Sequence, residues 1–346
     1  MRYDFLKDDY LVKIALQTDS SYVKLARDLI VFVIDIYRNL EPSHFNGKLV
    51  VFFEKEDSQD FQPNTLEKFY DKGMLNDAYH SIVFQLFQNG KLPHIWTNVD
   101  TDSIDALLSS DGFIAYVYEN EEEYFIVNQN KIDVINSYSC PSIFALQYHE
   151  LKQALLMYKN ERIKSSSCEL FKNCWADEKR IYFKNKPEDC MQISLNEFLK
   201  NRLRGIDIVR EYNLGASKPV DVRVYWNEAN RAALIEVKWL GRSVKDNGEL
   251  STPYSNSRAN DGMQQIKEYL DLENSDTPIV ITKGYLVVVD GRRRGIHKSK
   301  VSRISLQNGM AYKNTELTIA NDKKYWETYK NIEKPIRMFA EPICEK

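Results

Sequence analysis

Residues 219–241 read PVDVRVYWNEANRAALIEVKWLG, and this stretch constrains the fold more than any other part of the chain. Side chains of a strand point alternately to its two faces. Val220, Val222, Val224 and Trp226 therefore share one face of a first strand, and Ala233, Ile235, Val237 and Trp239 share one face of a second. Burying both apolar rows places Asp221, Glu236 and Lys238 together on the opposite face. A turn at residues 227–230 sets Asp221 directly opposite Glu236. Facing carboxylates weaken a sheet, and a cation between them removes the repulsion. Hard divalent ions such as Mg2+ take one or two carboxylates, with water and phosphate completing the shell. The competing reading is a solvated sheet face on which Asp, Glu and Lys alternate without function. Ala-Leu-Ile before Glu236 and Trp-Leu after Lys238 argue for a central strand, where idle charges are uncommon.

The surrounding pattern predicts the order α-β-β-β-α-β. Residues 194–204 form a helix with Leu195, Phe198, Leu199 and Leu203 on one face, and residues 206–212 form a strand. Residues 215–218 turn the chain into the two strands of the hairpin. A polar loop rich in Ser and Asn covers 241–260, followed by a helix over 261–272 and a strand over 285–290. On the later helix Gln265 and Tyr269 share a face, beside a core stripe of Met263, Ile266 and Leu270.

Taken together these residues resemble the PD-(D/E)xK nuclease superfamily, whose restriction-endonuclease-like core has the same α-β-β-β-α-β order, a mixed sheet flanked by helices. The resemblance covers residues 194–290. Asp221 matches the first acidic ligand, although Pro219 stands two residues before it rather than adjacent. Glu236-Val237-Lys238 matches the (D/E)xK, and Gln265 with Tyr269 gives a QxxxY pattern similar to the exonuclease-like branch. The resemblance implies Mg2+-dependent hydrolysis of phosphodiester bonds, with Mn2+ also supporting activity and DNA as the substrate, in bacterial anti-phage defence or repair. It implies that Asp221, Glu236 and the Val237 carbonyl bind the metal, and that Lys238 assists the attacking water. Gln265 and Tyr269 would hold the lysine or a substrate phosphate. Some members carry an extra metal-binding Glu on the first helix, which makes Glu197 a candidate. Ser194-x-x-Glu197 is also a capping box, and the two readings stay open. The alternative function is a catalytically inactive nuclease-like fold that binds nucleic acid or serves as an assembly subunit of a defence or repair complex.

Arg292, Arg293 and Arg294, followed by Lys298, Lys300 and Arg303, read as phosphate contacts or as a solvated charge run. Arg204, Arg223 and Arg242 are further candidates for nucleic-acid contact, with Arg223 on the Asp221 face by strand parity. Residues 186–346 carry 27 Lys+Arg against 22 Asp+Glu, whereas residues 1–185 carry 20 against 28. The positive balance of the second half suits a polyanion.

Ahead of this region the pattern predicts a mixed α/β domain. It has an amphipathic helix over 19–40, a turn at Asn46-Gly47, a buried strand over 48–53, and helices near 64–72 and 76–89. A strand over 94–99, a helix over 102–109, a hairpin of 113–118 with 123–127, and a helix over 142–160 complete it. Glu121, Glu122 and Glu123 read as a solvated turn. Apolar periodicity is lost over 160–190, so the domains are expected at 1–165 and 186–346. The first domain has no phosphate-binding loop or nucleophile elbow. Regulation or contact with other protein subunits is its expected task, and homo-oligomer formation is left open. The five cysteines are odd in number, without a CxxC pair, and read as free thiols. No apolar run is long enough to span a bilayer and the start MRYDFLKDDY lacks signal-peptide features, so a cytoplasmic location without membrane contact is expected.

Overall fold

Hydrophobic runs of six or seven residues become strands buried on both faces, and longer stretches of helical period become the helices that cover them. A computed structural model describes residues 2–37, 40, 47–54, 61, 63, 67–69, 79–119, 122–133, 147–203, 206–214, 219–226, 231–277, 280–296 and 300–345. The chain divides into two units, Met1–Gln147 and Tyr148–Lys346. It is an α/β protein with two mixed sheets flanked by helices. No helix among the described residues is long and apolar enough to cross a membrane.

The first unit opens with helices α1 (Arg2–Gln17) and α2 (Ser20–Tyr37). Its strands are β1 (Lys48–Glu54), β2 (Glu67–Phe69), β3 (Ser81–Leu86), β4 (His94–Thr97), β5 (Phe113–Glu119), β6 (Glu122–Val127) and β7 (Asn130–Asp133), with helix α3 (Thr101–Leu108) between β4 and β5. The sheet order is β2-β4-β3-β1-β5-β6-β7, with β1 and β3 parallel and the other neighbours antiparallel. Leu29, Ile30 and Val33 of α2 pack on Leu49, Val51 and Phe84, while Val50, Phe52 and Val83 point the other way onto Trp96 and Ile104. This alternation explains why the apolar run of β1 has no polar face.

Three expectations for this unit are corrected. Residues 67–69 and 81–86 are strands, not parts of helices. SIVFQL of β3 is buried along its whole length, and a six-residue apolar run without helical period suits a central strand. Strand β7 adds to the expected hairpin. Glu123 is no solvated turn residue: it is buried and accepts hydrogen bonds from the Tyr116 hydroxyl at 2.5 Å and the Tyr10 hydroxyl at 3.2 Å. Asn46, Glu121 and residues 142–146 lie outside the described residues.

The second unit begins with α4 (Gln147–Tyr158), which runs into a π-helical turn at Lys159–Ile163, and α5 (Glu169–Lys172). There follow α6 (Glu188–Arg202), β8 (Asp207–Tyr212), β9 (Val220–Trp226), β10 (Arg231–Leu240), α7 (Asn256–Asp276) and β11 (Ile281–Asp290). Helix α8 (Leu306–Gly309) and strand β12 (Ile336–Phe339) close the unit. The order α6-β8-β9-β10-α7-β11 is the α-β-β-β-α-β expected from the sequence, and β12 extends it. The sheet runs β12-β11-β10-β9-β8; β10 is antiparallel to β9 and parallel to β11, which makes it the central strand.

The compact units divide at 147/148. Tyr148, Leu151, Leu155 and Tyr158 of α4 bury themselves with Met191, Leu195, Val222 and Trp226, so α4 belongs to the second core. The cysteine expectation also changes. Cys174 and Cys190 form a disulfide with Cα atoms 5.7 Å apart, Cys168 and Cys344 are free among the described residues, and Cys140 lies outside them. The turns at 215–218 and 227–230 lie outside the described residues.

Candidate active site

The two faces of β10 have different partners. Ala233, Ile235, Val237 and Trp239 join the core beneath α4 and α6, while Leu234 and Leu240 join the core beneath α7. Glu236 and Lys238 stand between Leu234 and Leu240 on the α7 side. The charged face is thus a second packed face, and Glu236 is 2 % and Lys238 7 % exposed.

The β9–β10 ladder pairs Val222 with Ile235 and ends there. Continued by one pair, its register would set Asp221 opposite Glu236, but Val220 packs in the core beneath α7 whereas Val222, Val224 and Trp226 pack in the core beneath α6, so the expected single apolar face of β9 is broken at its start. The Val237 N–H turns instead to the Asp221 side chain, donating to Oδ2 at 2.7 Å. Both polar groups of a strand residue face the same neighbour, so the Val237 carbonyl lies on the Asp221 edge of the strand. The other oxygen of Asp221 accepts from the Gln192 amide of α6 at 2.7 Å. Lys238 donates to Glu236 Oε1. Glu236 Oε2 is buried and has no hydrogen-bond partner among the described residues.

Burial raises the affinity of both carboxyls for protons. Asp221 is pushed up to about 8 by removal from water and then by the charge of Glu236, against the pull of the Val237 N–H and Lys238. Glu236 is raised by its own burial, opposed by Lys238. Two acids that cannot comfortably ionise together, one with an orphaned oxygen, fit a hard cation with water and phosphate in its remaining positions. Among the described residues no three His, Cys, Asp or Glu side chains converge as a preformed metal cage.

Helix α7 supplies the lid of this face. Arg258, Gly262, Gln265 and Tyr269 follow one another at helical spacing along one stripe. Arg258 donates to Glu188 Oε1 at 2.7 Å, and the Tyr269 hydroxyl donates to the Pro219 carbonyl at 3.2 Å. Burial raises the Tyr269 phenol, and the charges of Glu236 and Asp221 raise it further. Gln265 lies between them, half-buried, and makes no hydrogen bond to a described residue. A Cβ on Gly262 would come within 2.6 Å of Leu286 Cδ1 and 3.0 Å of Lys238 Cγ. Glycine here lets the helix settle onto the lysine stem, against its usual cost in a helix interior. Gly262→Val is expected to lower unfolding stability by about 1–3 kcal/mol through overpacking, measured by urea denaturation.

The first helix changes the membership of the site. α6 begins at Glu188, with Pro187 as its N-cap, so Ser194 sits in mid-helix and the capping box at Ser194-x-x-Glu197 does not exist. Ser194 instead meets the Tyr158 hydroxyl at 2.9 Å. Glu197 is exposed and lies 3.9 Å from Lys200; at about 100° per residue it faces away from Glu188. Glu188 and Gln192, neither of them apparent from the sequence pattern, are the α6 residues that lie beside Asp221 and Glu236. Glu188 adds its charge to those of Asp221 and Glu236. The local signals for this earlier start are Pro187 and the acids Glu188 and Asp189 in the first turn.

Most of the predicted phosphate-binding arginines have internal work. Arg223 shares the Asp221 face, but it donates to Glu273 of α7 at 2.8 Å and lies over the Tyr212 and Tyr225 rings. Glu273 is 2 % exposed, so Arg223→Ala strands a buried carboxylate. Its expected effect is a loss of about 3 kcal/mol of stability, read by denaturation, rather than a selective loss of nucleic-acid affinity. Arg292 clasps Asp290 through two nitrogens, at 3.0 and 2.7 Å. Arg293 is 3 % exposed and donates to the Arg180 and Ala340 carbonyls; burial pulls it down to about 10. Arg293 is buried and Arg292 half-buried, and both guanidiniums are partnered within the fold at the end of β11. Arg294 is exposed and bonded to Asn308. Arg242 is half-buried, with no ion pair to a described residue. Lys300 is exposed, and Arg303 lies 3.5 Å from Glu345. Arg204 and Lys298 lie outside the described residues.

The second unit thus brings half-buried Asp221 and buried Glu236 and Lys238 together on adjacent strands of a mixed sheet. Compared with protein-family models, curated proteins and solved structures, the chain matches none.

Proposed function

We propose that the second unit is a metal-dependent nuclease of the PD-(D/E)xK type with a restriction-endonuclease-like core, acting on DNA. The observation that carries this reading is the convergence of half-buried Asp221 with buried Glu236 and Lys238, in which the proton affinity of both carboxyls is raised and Glu236 Oε2 has no partner among the described residues. The α-β-β-β-α-β order and the central position of β10 support it. Asp221 and Glu236 would hold Mg2+ or Mn2+, with the Val237 carbonyl on the same edge and Glu188 near enough to add its charge. A bound ion would supply a hydroxide nucleophile and stabilise charge on the leaving oxygen.

The chain's own residues do the rest. Gln192 and the Val237 N–H fix the rotamer of Asp221. Lys238, paired with Glu236, would offset charge on the scissile phosphate and orient the attacking water. Gln265 offers an uncommitted amide on the same side. Arg242 and Arg294 remain available to the phosphodiester backbone.

The test is incubation of the purified full chain with circular, linear and single-stranded DNA and with RNA, in Mg2+, Mn2+ or EDTA. Cleavage of DNA that requires the divalent ion is expected. Nucleic acid bound but uncut in both ions would overturn the catalytic reading in favour of a nuclease-like binding or assembly module.

A further inference from the structure

The first turns of α6 join the site to a disulfide. Glu188 accepts from Arg258, Gln192 donates to Asp221, and Cys190 between them is bonded to Cys174. The two cysteines are 16 residues apart, and the loop they close reaches the other wall of the site. The Phe183 N–H donates to the Arg242 carbonyl at 2.9 Å, and the Val244 N–H donates to the Phe183 carbonyl at 2.8 Å. The loop therefore holds both the start of α6 and the segment that leads from Lys238 to α7. Cys174 is fully buried, whereas Cys190 is half-buried and reachable from solvent.

We propose that Cys174 and Cys190 are a reversible thiol–disulfide modification site whose state sets how firmly the first turns of α6 present Glu188 and Gln192. The co-reactant is a small-molecule disulfide of the glutathione class. In the forming direction the Cys190 thiolate attacks one sulfur of that disulfide and releases one small thiolate. The Cys174 thiolate then attacks the Cys190 sulfur of the mixed disulfide and releases the second. The protein gives up two protons and two electrons, and the small disulfide becomes two thiols. Access decides the order, because only Cys190 can be reached from solvent. Closing the loop removes freedom from the segment between the cysteines and so steadies the turn that holds Asp221 through Gln192.

The consequence for cation affinity rests on the proposed function, whereas the exchange chemistry and the ordering of α6 do not. The full chain is equilibrated in glutathione buffers from fully reduced to fully oxidised. The bond is scored by alkylation and mass, and the segment by hydrogen exchange of peptides spanning 186–196. Oxidation is expected to slow exchange there by about ten-fold as local opening becomes costlier. Cys190→Ser is expected to match reduced wild type at every buffer ratio; Cys174→Ser carries the same expectation if the first variant does not fold. Mn2+ binding, followed in parallel, is expected to tighten on oxidation. Full alkylation of both cysteines in oxidised buffer, or exchange that ignores the bond, overturns the proposal. A protein that switches its exchange but never binds Mn2+ would leave the switch standing and count against the nuclease reading.

Discussion

Asp221→Asn is expected to abolish divalent-ion-dependent cleavage, by roughly a thousand-fold or more, and at the same time to stabilise the metal-free protein. The second effect follows from proton linkage. The Asp221 carboxyl has an ordinary value of 3.8 and is raised to about 8 in the fold. Between those values the native state holds a proton that the unfolded chain has released. Wild-type stability therefore falls as pH rises from about 4 to about 8 and changes no further above that. Asparagine carries no charge, so this slope is lost; its oxygen can still accept from the Val237 N–H, while its NH2 requires the Gln192 amide to turn its oxygen toward it. In wild type a divalent ion displaces the proton, and the ion's stabilising effect grows with pH. Thermal melts at pH 5 and pH 8, each with EDTA or Mg2+, read all of this at once. Equal slopes in the two proteins, or equal Mg2+ stabilisation, would remove Asp221 from the metal site.

Lys238→Ala is expected to lower cleavage by roughly a hundred-fold or more while Mn2+ binding stays within a few-fold of wild type. The lysine is not a ligand, and its removal frees Glu236 Oε1. What is lost is the positive charge beside the phosphate and the water. Lys238→Arg is not expected to rescue activity. Its planar guanidinium replaces a compact ammonium, and α7 packs so closely over the lysine stem that even a Cβ on Gly262 would come within 3.0 Å of Lys238 Cγ. Cleavage rates paired with calorimetric Mn2+ titration check the split. Loss of ion binding together with cleavage would make Lys238 a structural partner of Glu236; full activity would exclude it from the chemistry.

Much of the site is legible locally because a strand's period is two. Burying the apolar row of β10 leaves Glu236 and Lys238 on its other face, whereas in β9 the alternation breaks at the start: Val220 joins the core beneath α7, and the Asp221 side chain meets Gln192 of α6 and the Val237 N–H. The order of elements around the hairpin is legible for the same reason, since the periods change where the elements change. The start of α6 is less so. Its apolar stripe is weak ahead of Leu195, so Glu188 and Gln192 fall outside the most obvious helical run. The consequence is a capping box read where the helix was already well under way. The strands at 67–69 and 81–86 fail differently: a short apolar run has no period of its own, and only its burial on two faces decides for β3.

Sequence alone determined the alternation, the charge pairing it forces, and the stripe of Gln265 and Tyr269 on α7, because these depend on neighbours within a few residues. Tertiary structure alone decided which charges are available. Arg223 is matched by Glu273 fifty positions along the chain, Arg293 is capped by the Ala340 carbonyl, and Cys174 finds Cys190. Each of these pairings removes a group from solvent and is fixed by how helices and loops pack on the sheet. The same packing turned the face of Asp221, Glu236 and Lys238 from one that water would have screened into one where two acids contend for a proton. Low local dielectric beneath α7 is the physical cause, and no pattern along the chain records it.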